Sequence, residues 1–236
     1  MGRAFEYRRA SKEKRWDKMS KLFPKFAKTI TMAAKEGGAD PASNAKLRIA
    51  IAAAKAENMP KDNIKKAIER ASGKDAAQFD EVNYEGKGPH GVLVWVECAT
   101  DNNTRTFSNI RLHFNKGGGT LLNAGALEFM FNRKTVIQFQ KTEETNLEEI
   151  ELELIDHGLE ELEENEGMVY VYGDFTSFGS LSKACEDLGI EIAKASPQRI
   201  ATDPIEVTEE QMAEVEDLID RLEDDEDVQA VFTNIA

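Results

Sequence analysis

Lysines recur through the first third of the chain at a spacing that gathers them on one side of a helix. When residues 18–35 are wound at about 100° per residue, Lys18, Lys21, Lys25, Lys28 and Lys35 fall on one narrow stripe and Leu22, Phe23, Phe26, Ile30 and Ala33 fall opposite. The apolar arc must pack on something, so the ammonium groups are expected to face outward. Lys46, Arg48 and Lys55 extend the positive surface on a second segment, and Lys61, Lys65, Lys66 and Arg70 on a third. Residues 1–75 carry 19 Lys and Arg against 9 Asp and Glu, a net of +10, whereas the remaining 161 residues carry 11 against 35, a net of −24. The overall charge of −14 and pI of 4.8 therefore hide a basic head on an acidic body. Self-solubility does not need such segregation, and a one-sided basic module is the electrostatic footprint of polyanion binding.

Other residues with chemical potential read more plainly. Thr100-Asp101-Asn102-Asn103-Thr104-Arg105-Thr106 stands where a strand hands over to a helix, so Asp101, Asn102 or Asn103 is placed to cap that helix. Its functional reading is a binding loop with Arg105 open to a phosphate or carboxylate. Gly86-Lys87-Gly88-Pro89-His90-Gly91 has the letters of a dinucleotide fingerprint but precedes a strand instead of following one, and reads as a tight turn. His90, His113 and His157 sit at no spacing used for zinc or a catalytic triad, and no phosphate loop or nucleophile elbow occurs. The sequence thus predicts no catalytic residue, no metal, no cofactor and no small-molecule substrate. The glutamates at 148, 149, 151, 153, 160, 161, 163, 164 and 166 are too dense for an acid–base pair and read as a solvated helix face and loop that repel nucleic acid from the body.

The elements that must position the lysines follow from turn and cap residues. Gly37 and Gly38 end the first helix, because glycine takes the left-handed C-cap conformation at little steric cost. Asp40 is expected to cap a second helix over residues 41–57, with Pro41 in its first turn. The loop Asn58-Met59-Pro60-Lys61-Asp62-Asn63 leads to a third helix with Ile64, Ala67, Ile68 and Ala71 on one face, and short loops between three amphipathic helices favour a bundle. Strands are expected at 92–97, 127–131, 136–139, 168–172, 191–195 and 228–232, and helices at 103–115, 147–157, 178–188 and 209–222. Pro197 and Pro204 are expected to bracket a connection.

An apolar content of 41% fills real cores, and no apolar run near 18 residues exists to span a membrane. Met1 to Trp16 lacks the apolar centre of a signal peptide. Cys98 and Cys185 read as buried thiols of a reducing cytoplasm.

Several stretches carry a resemblance to a known family. Gly37-Gly38-Ala39-Asp40-Pro41, Asn44 to Ala54, Asn58 to Ile64, Tyr84-Glu85-Gly86, Thr100-Asp101-Asn102 with Arg105-Thr106, Phe129-Met130-Phe131, Gln198-Arg199-Ile200 and Val231-Phe232-Thr233-Asn234 resemble the YebC family over nearly the whole chain. Gly2-Arg3-Ala4-Phe5-Glu6-Tyr7 departs from the commoner opening Gly-His-Ser-Lys-Trp, and His90 stands where the family usually has glycine. The resemblance implies an α+β multidomain protein, with an N-terminal three-helix bundle followed by two ferredoxin-like α+β domains, one inserted in the other. The expected divisions are 1–78, 79–133 with 204–236, and 134–203 as the insert; a linear arrangement is the alternative that the residues alone permit. It further implies a cytoplasmic, non-enzymatic, DNA-binding transcriptional regulator. Two other roles stay open: a translation factor on the ribosome, contacting rRNA or tRNA through the hairpin tip from Asn58 to Asn63, and an acidic protein-interaction scaffold. The candidate nucleic-acid contacts are Lys18, Lys21, Lys25, Lys28, Lys35, Lys46, Arg48, Lys55, Asn58, Met59, Lys61, Lys65 and Arg105.

Overall fold

The computed structural model describes residues 19–72 and 79–236. Three helices come first: α1 (Met19–Gly37), α2 (Ala45–Ala56) and α3 (Lys61–Ser72). The chain continues through β1 (Asp80–Lys87), β2 (Leu93–Thr100), α4 (Asn103–Lys116), β3 (Thr120–Leu121), β4 (Phe131–Gln140), α5 (Leu147–Ile155), β5 (Leu159–Asn165), β6 (Met168–Asp174), α6 (Phe178–Asp187), β7 (Ile192–Ala201), α7 (Glu209–Glu223) and β8 (Val228–Thr233). The strands form two antiparallel four-stranded sheets, so the molecule is an α+β multidomain protein with a helical head.

The head has its own core. Ile30, Ala33 and Ala34 of α1, Leu47, Ala50 and Ala54 of α2, and Ile64 and Ala67 of α3 are buried together, each large aliphatic side chain contributing about 2 kcal/mol. Asn44 joins the first two helices: its Oδ1 accepts from the Leu47 amide at 3.0 Å, and its Nδ2 donates to the carbonyls of Ala33 at 2.8 Å and Gly38 at 2.9 Å. A Cβ on Gly37 would lie 2.7 Å from this amide, and Gly38 has φ 91°, so both positions need glycine. Helix α2 consequently starts at Ala45 with Asn44 as its cap, not at Pro41. The Asp40 carboxylate instead accepts from the Ala42 amide in the preceding turn, at 3.0 Å.

In the first sheet the order is β3-β1-β2-β8, with α4 and α7 covering one face over Val94, Val96, Cys98, Ile110, Phe114, Val215 and Leu218. Strand β8 pairs with β2 from Val94–Thr233 to Cys98–Val228, so the last helix and strand close a sheet begun before β4. In the second sheet the order is β5-β6-β4-β7, the βαββαβ connectivity of a ferredoxin-like fold. Its core is Ile137, Phe139, Leu154, Val169, Val171 and Leu181. Arg199 ties the two sheets: its Nε donates to Glu97 at 2.8 Å and its guanidinium lies 3.8 Å from the centre of the Trp95 ring.

Several expected elements shift. Asp80–Lys87 is a strand although it is mostly polar; Glu148 to Glu153 lie on helix α5 as expected, but the acidic run from Glu160 to Glu164 lies on edge strand β5 instead of a loop. Glu128–Met130 is a 3-10 turn and the strand begins only at Phe131, because buried Glu85 accepts from the amides of Gly125 and Leu127 and bends the chain there. Strand β7 runs through Pro197, which an edge strand tolerates because one of its sides has no ladder to break.

Candidate nucleic-acid interface

The lysine stripe of α1 divides into a docked part and an open part. Lys28 does not face solvent. Its Nζ donates to the carbonyls of Ala99 at 2.8 Å and Glu226 at 3.1 Å, it pairs with Asp227 Oδ1 at 3.0 Å, and its side chain is 12% exposed. Lys25 Nζ donates to the Glu223 carbonyl, and Thr29 Oγ1 donates to Gln229 Oε1 at 3.2 Å. The expectation that these lysines point outward is corrected: the face of α1 turned away from the bundle core meets the body. Lys35, farther along the same stripe, is exposed. Lys18 lies outside the described residues, and Lys21 is placed by its backbone within the first turn of α1.

Asp227 is the hub of the docking. One carboxylate oxygen takes Lys28; the other accepts from Arg105 Nη2 at 2.8 Å, Thr106 Oγ1 at 2.8 Å and Thr100 Oγ1 at 3.2 Å. Burial by itself would raise this carboxyl's pKa. The hydrogen bonds from Arg105, Thr106 and Lys28, with the Lys28 charge, outweigh burial and hold it at about 2. Arg105 is already engaged: its Nη2 spans Asp227 and, at 2.9 Å, Asp101, while the side chain stays 48% exposed. In the same cluster Asn102 caps α4 by accepting from the Arg105 amide at 3.0 Å.

The other candidates also separate. Met59 is 5% exposed and fills the bundle core, so it is withdrawn as a contact. The adjacent Asn58, at φ 60°, makes the left-handed reversal between α2 and α3 and is exposed. Arg48 Nε pairs with Glu186 of α6 at 2.9 Å and its Nη1 donates to the Pro41 carbonyl, which fastens α2 to the second lobe. Lys46 pairs with Glu36 at 2.6 Å and Lys65 with Glu69 at 3.8 Å, both on the surface, where such pairs are worth at most about 1 kcal/mol. Lys35, Lys55, Lys61, Lys66 and Arg70 are exposed and form no ion pair with a described residue. The four-residue connection from α2 to α3 puts Lys55 and Lys61 at one end of the bundle, with Asn58 between them.

Elsewhere, His90 at φ 56° occupies the β1–β2 turn and lies 3.0 Å from Glu214, beside an open cleft of about 500 Å³ lined by Pro89, Gly117, Gly118 and Asp217. His113 lies 3.3 Å from Asp225. Cys98 and Cys185 are buried, and burial pushes their thiols up to about 12 and about 11. No group of three or more His, Cys, Asp or Glu suited to a metal ion occurs among the described residues. None of their helices is long and apolar enough to cross a membrane.

Sequence reasoning missed Asp227 and the turn that carries it. Glu223-Asp224-Asp225-Glu226-Asp227 is an unbroken acidic run directly after an amphipathic helix. Its sign, opposite to the lysine stripe, was the available signal.

Fold and charge together define a class: a basic three-helix head docked on an acidic α+β body of two lobes. The chain belongs to the TACO1/YebC family; residues 79–235 match the TACO1/YebC second and third domain, and residues 3–74 the TACO1/YebC protein N-terminal domain. It is 66% identical over 237 residues to a probable transcriptional regulatory protein of Wolinella succinogenes, and 60% identical over 236 residues to one of Sulfurimonas denitrificans, with 100% of both chains covered in each case. Among solved structures it is similar to a conserved hypothetical protein from Aquifex aeolicus, with a TM-score of 0.81 at 35% identity, over 93% of this chain and 90% of that one.

Proposed function

We propose that this protein is a non-enzymatic regulator of gene expression that binds nucleic acid through the outer face of its helical head, with transcriptional control of DNA as its main role. The observation that carries this reading is that Lys35, Lys55, Lys61, Lys66 and Arg70 are exposed and pair with no carboxylate among the described residues, on a head whose body is strongly acidic. Lysine dominates, so affinity comes from phosphates as point charges and carries little base readout. The acidic edge strand β5 repels a polyanion from the second lobe and orients the complex. The names of the relatives from Wolinella and Sulfurimonas agree with this role.

The test is anisotropy of labelled promoter DNA and sedimentation with ribosomes, each across a salt series. Five phosphate contacts give a slope of log K against log salt of about −4 on duplex DNA. Reversing Lys61, Lys66 and Arg70 to Glu lowers affinity and flattens that slope by about 3. Co-sedimentation with ribosomes without DNA binding moves the role to translation, with the same head as contact. Binding to neither at moderate salt removes the reading.

A further inference from the structure

We propose that the acidic turn between α7 and β8 is an intramolecular latch: it holds part of the head's lysine stripe out of reach, and full engagement of nucleic acid requires the head to leave the body. The inference rests on the nucleic-acid reading above and adds a regulated step to it.

Lys21, Lys25 and Lys28 stand at i, i+4 and i+7 on α1, and Lys35 continues the same stripe about two turns beyond. Of these, Lys25 and Lys28 are seated on the turn, on the Glu223 and Glu226 carbonyls and the Asp227 carboxylate, while Lys35 stays open. The turn offers the two ammonium groups the Glu223 and Glu226 carbonyls and the ionised Asp227 carboxylate, oxygen acceptors of the kind a phosphate also presents. The turn and a polyanion are thus competitors for one stripe.

The head is built to move as a unit. Its core cluster consists wholly of residues of the head, from Phe23 to Ala71. It is fastened to the body by polar contacts, Lys25, Lys28 and Thr29 on the turn and Arg48 to Glu186, and by a small apolar seam at a crevice of about 150 Å³ that Ile49, Ala52 and Ala53 of α2 share with Ile192 and Ala195 of β7. Undocking would leave the head's own core closed, and small interfaces of mixed polar and apolar contacts permit relative motion of domains.

The test locks and releases the latch. Thr29 and Gln229 face each other across the interface, and each is replaced by Cys and bridged with a short bifunctional thiosulfonate that a reductant cleaves. The native Cys98 and Cys185 are buried and do not compete. Binding of labelled duplex DNA is read across a salt series for the locked and released forms. The locked form is expected to bind about tenfold more weakly, with a salt slope smaller by about 2 for the two withheld lysines, and the reductant restores both. Separately, Asp227→Asn, verified as folded by circular dichroism, is expected to bind more tightly than the native chain. Equal affinity and equal slope for the locked and released forms, on a duplex long enough to reach from Lys61 to the α1 stripe, overturn the latch. A released form that binds no nucleic acid at any salt fails earlier, and removes the nucleic-acid reading together with the inference built on it.

Discussion

Replacing Asp227 by Asn keeps the shape of the hub and removes its charge, which isolates the electrostatic part of the docking. The ionised carboxylate is favoured in the folded state: its pKa is about 2 there, against about 3.9 in an unfolded chain. That difference corresponds to about 2–3 kcal/mol of stability at neutral pH. In the variant, Lys28 keeps the carbonyls of Ala99 and Glu226 but loses its counter-ion while 12% exposed, and Arg105 loses its inner partner. Stranding a buried charge costs more than the pair itself contributes, so the loss is placed at about 3 kcal/mol at pH 7. The pH dependence has a defined sign. A depressed carboxyl contributes fully above the unfolded value of about 3.9, and the contribution disappears as pH falls through about 2. Urea denaturation of both proteins, followed by far-ultraviolet circular dichroism between pH 7 and pH 2, should therefore show a gap that is constant down to about pH 4 and narrows below it. An unchanged midpoint at pH 7, or a gap that stays wide at pH 2, would refute the assignment of Asp227 as an ionised, multiply bonded hub.

Two further measurements probe the head and the cores. Asn44→Ala removes a helix cap and leaves the carbonyls of Ala33 and Gly38 without their donor, so amide hydrogen exchange across α1 and α2 should accelerate by the equivalent of about 2 kcal/mol, with the sheets unaffected. Cys98 and Cys185, with thiols raised by burial to about 12 and about 11, should stay inert to an aromatic disulfide reagent at pH 8 and react only on unfolding; rapid reaction in the native protein would contradict their burial.

How much of this was legible depends on which partner decides each residue's environment. The bundle could be read because its signals are local: the apolar arc of α1, the glycine stop at Gly37 and Gly38, and the short reversal at Asn58 each act within a few residues. The cap of α2 was misplaced because Asp40 and Asn44 are both good caps, and the choice fell to tertiary contacts of Asn44 with the end of α1. Strand β1 escaped notice because its pairing on both sides supplies the order that its polar composition does not. The acidic strand β5 was read as loop for a similar reason: a solvated edge strand carries glutamate as readily as a loop does, whereas Glu148 to Glu153 do lie on helix α5. The stripe was read correctly as a stripe and wrongly as an open one, since periodicity says which face of a helix avoids its own bundle and nothing about what else packs there.

The docked lysines set a quantitative condition on the proposed function. If the Asp227 hub is worth about 3 kcal/mol, the undocked head makes up less than about 1% of the free protein, and a ligand that needs it must prefer it by about 100-fold to populate it equally. On the proposed function, the five open cations would bind a polyanion to the docked form, so the first encounter would not require release. Engagement of Lys25 and Lys28 would come second, and only on a ligand long enough to reach both the open corner near Lys61 and the stripe of α1. Short oligonucleotides should therefore bind the locked and released forms alike, and the difference between the two forms should appear as the duplex is lengthened. A length-independent difference would mean that the turn acts on affinity by some route other than competition for the stripe.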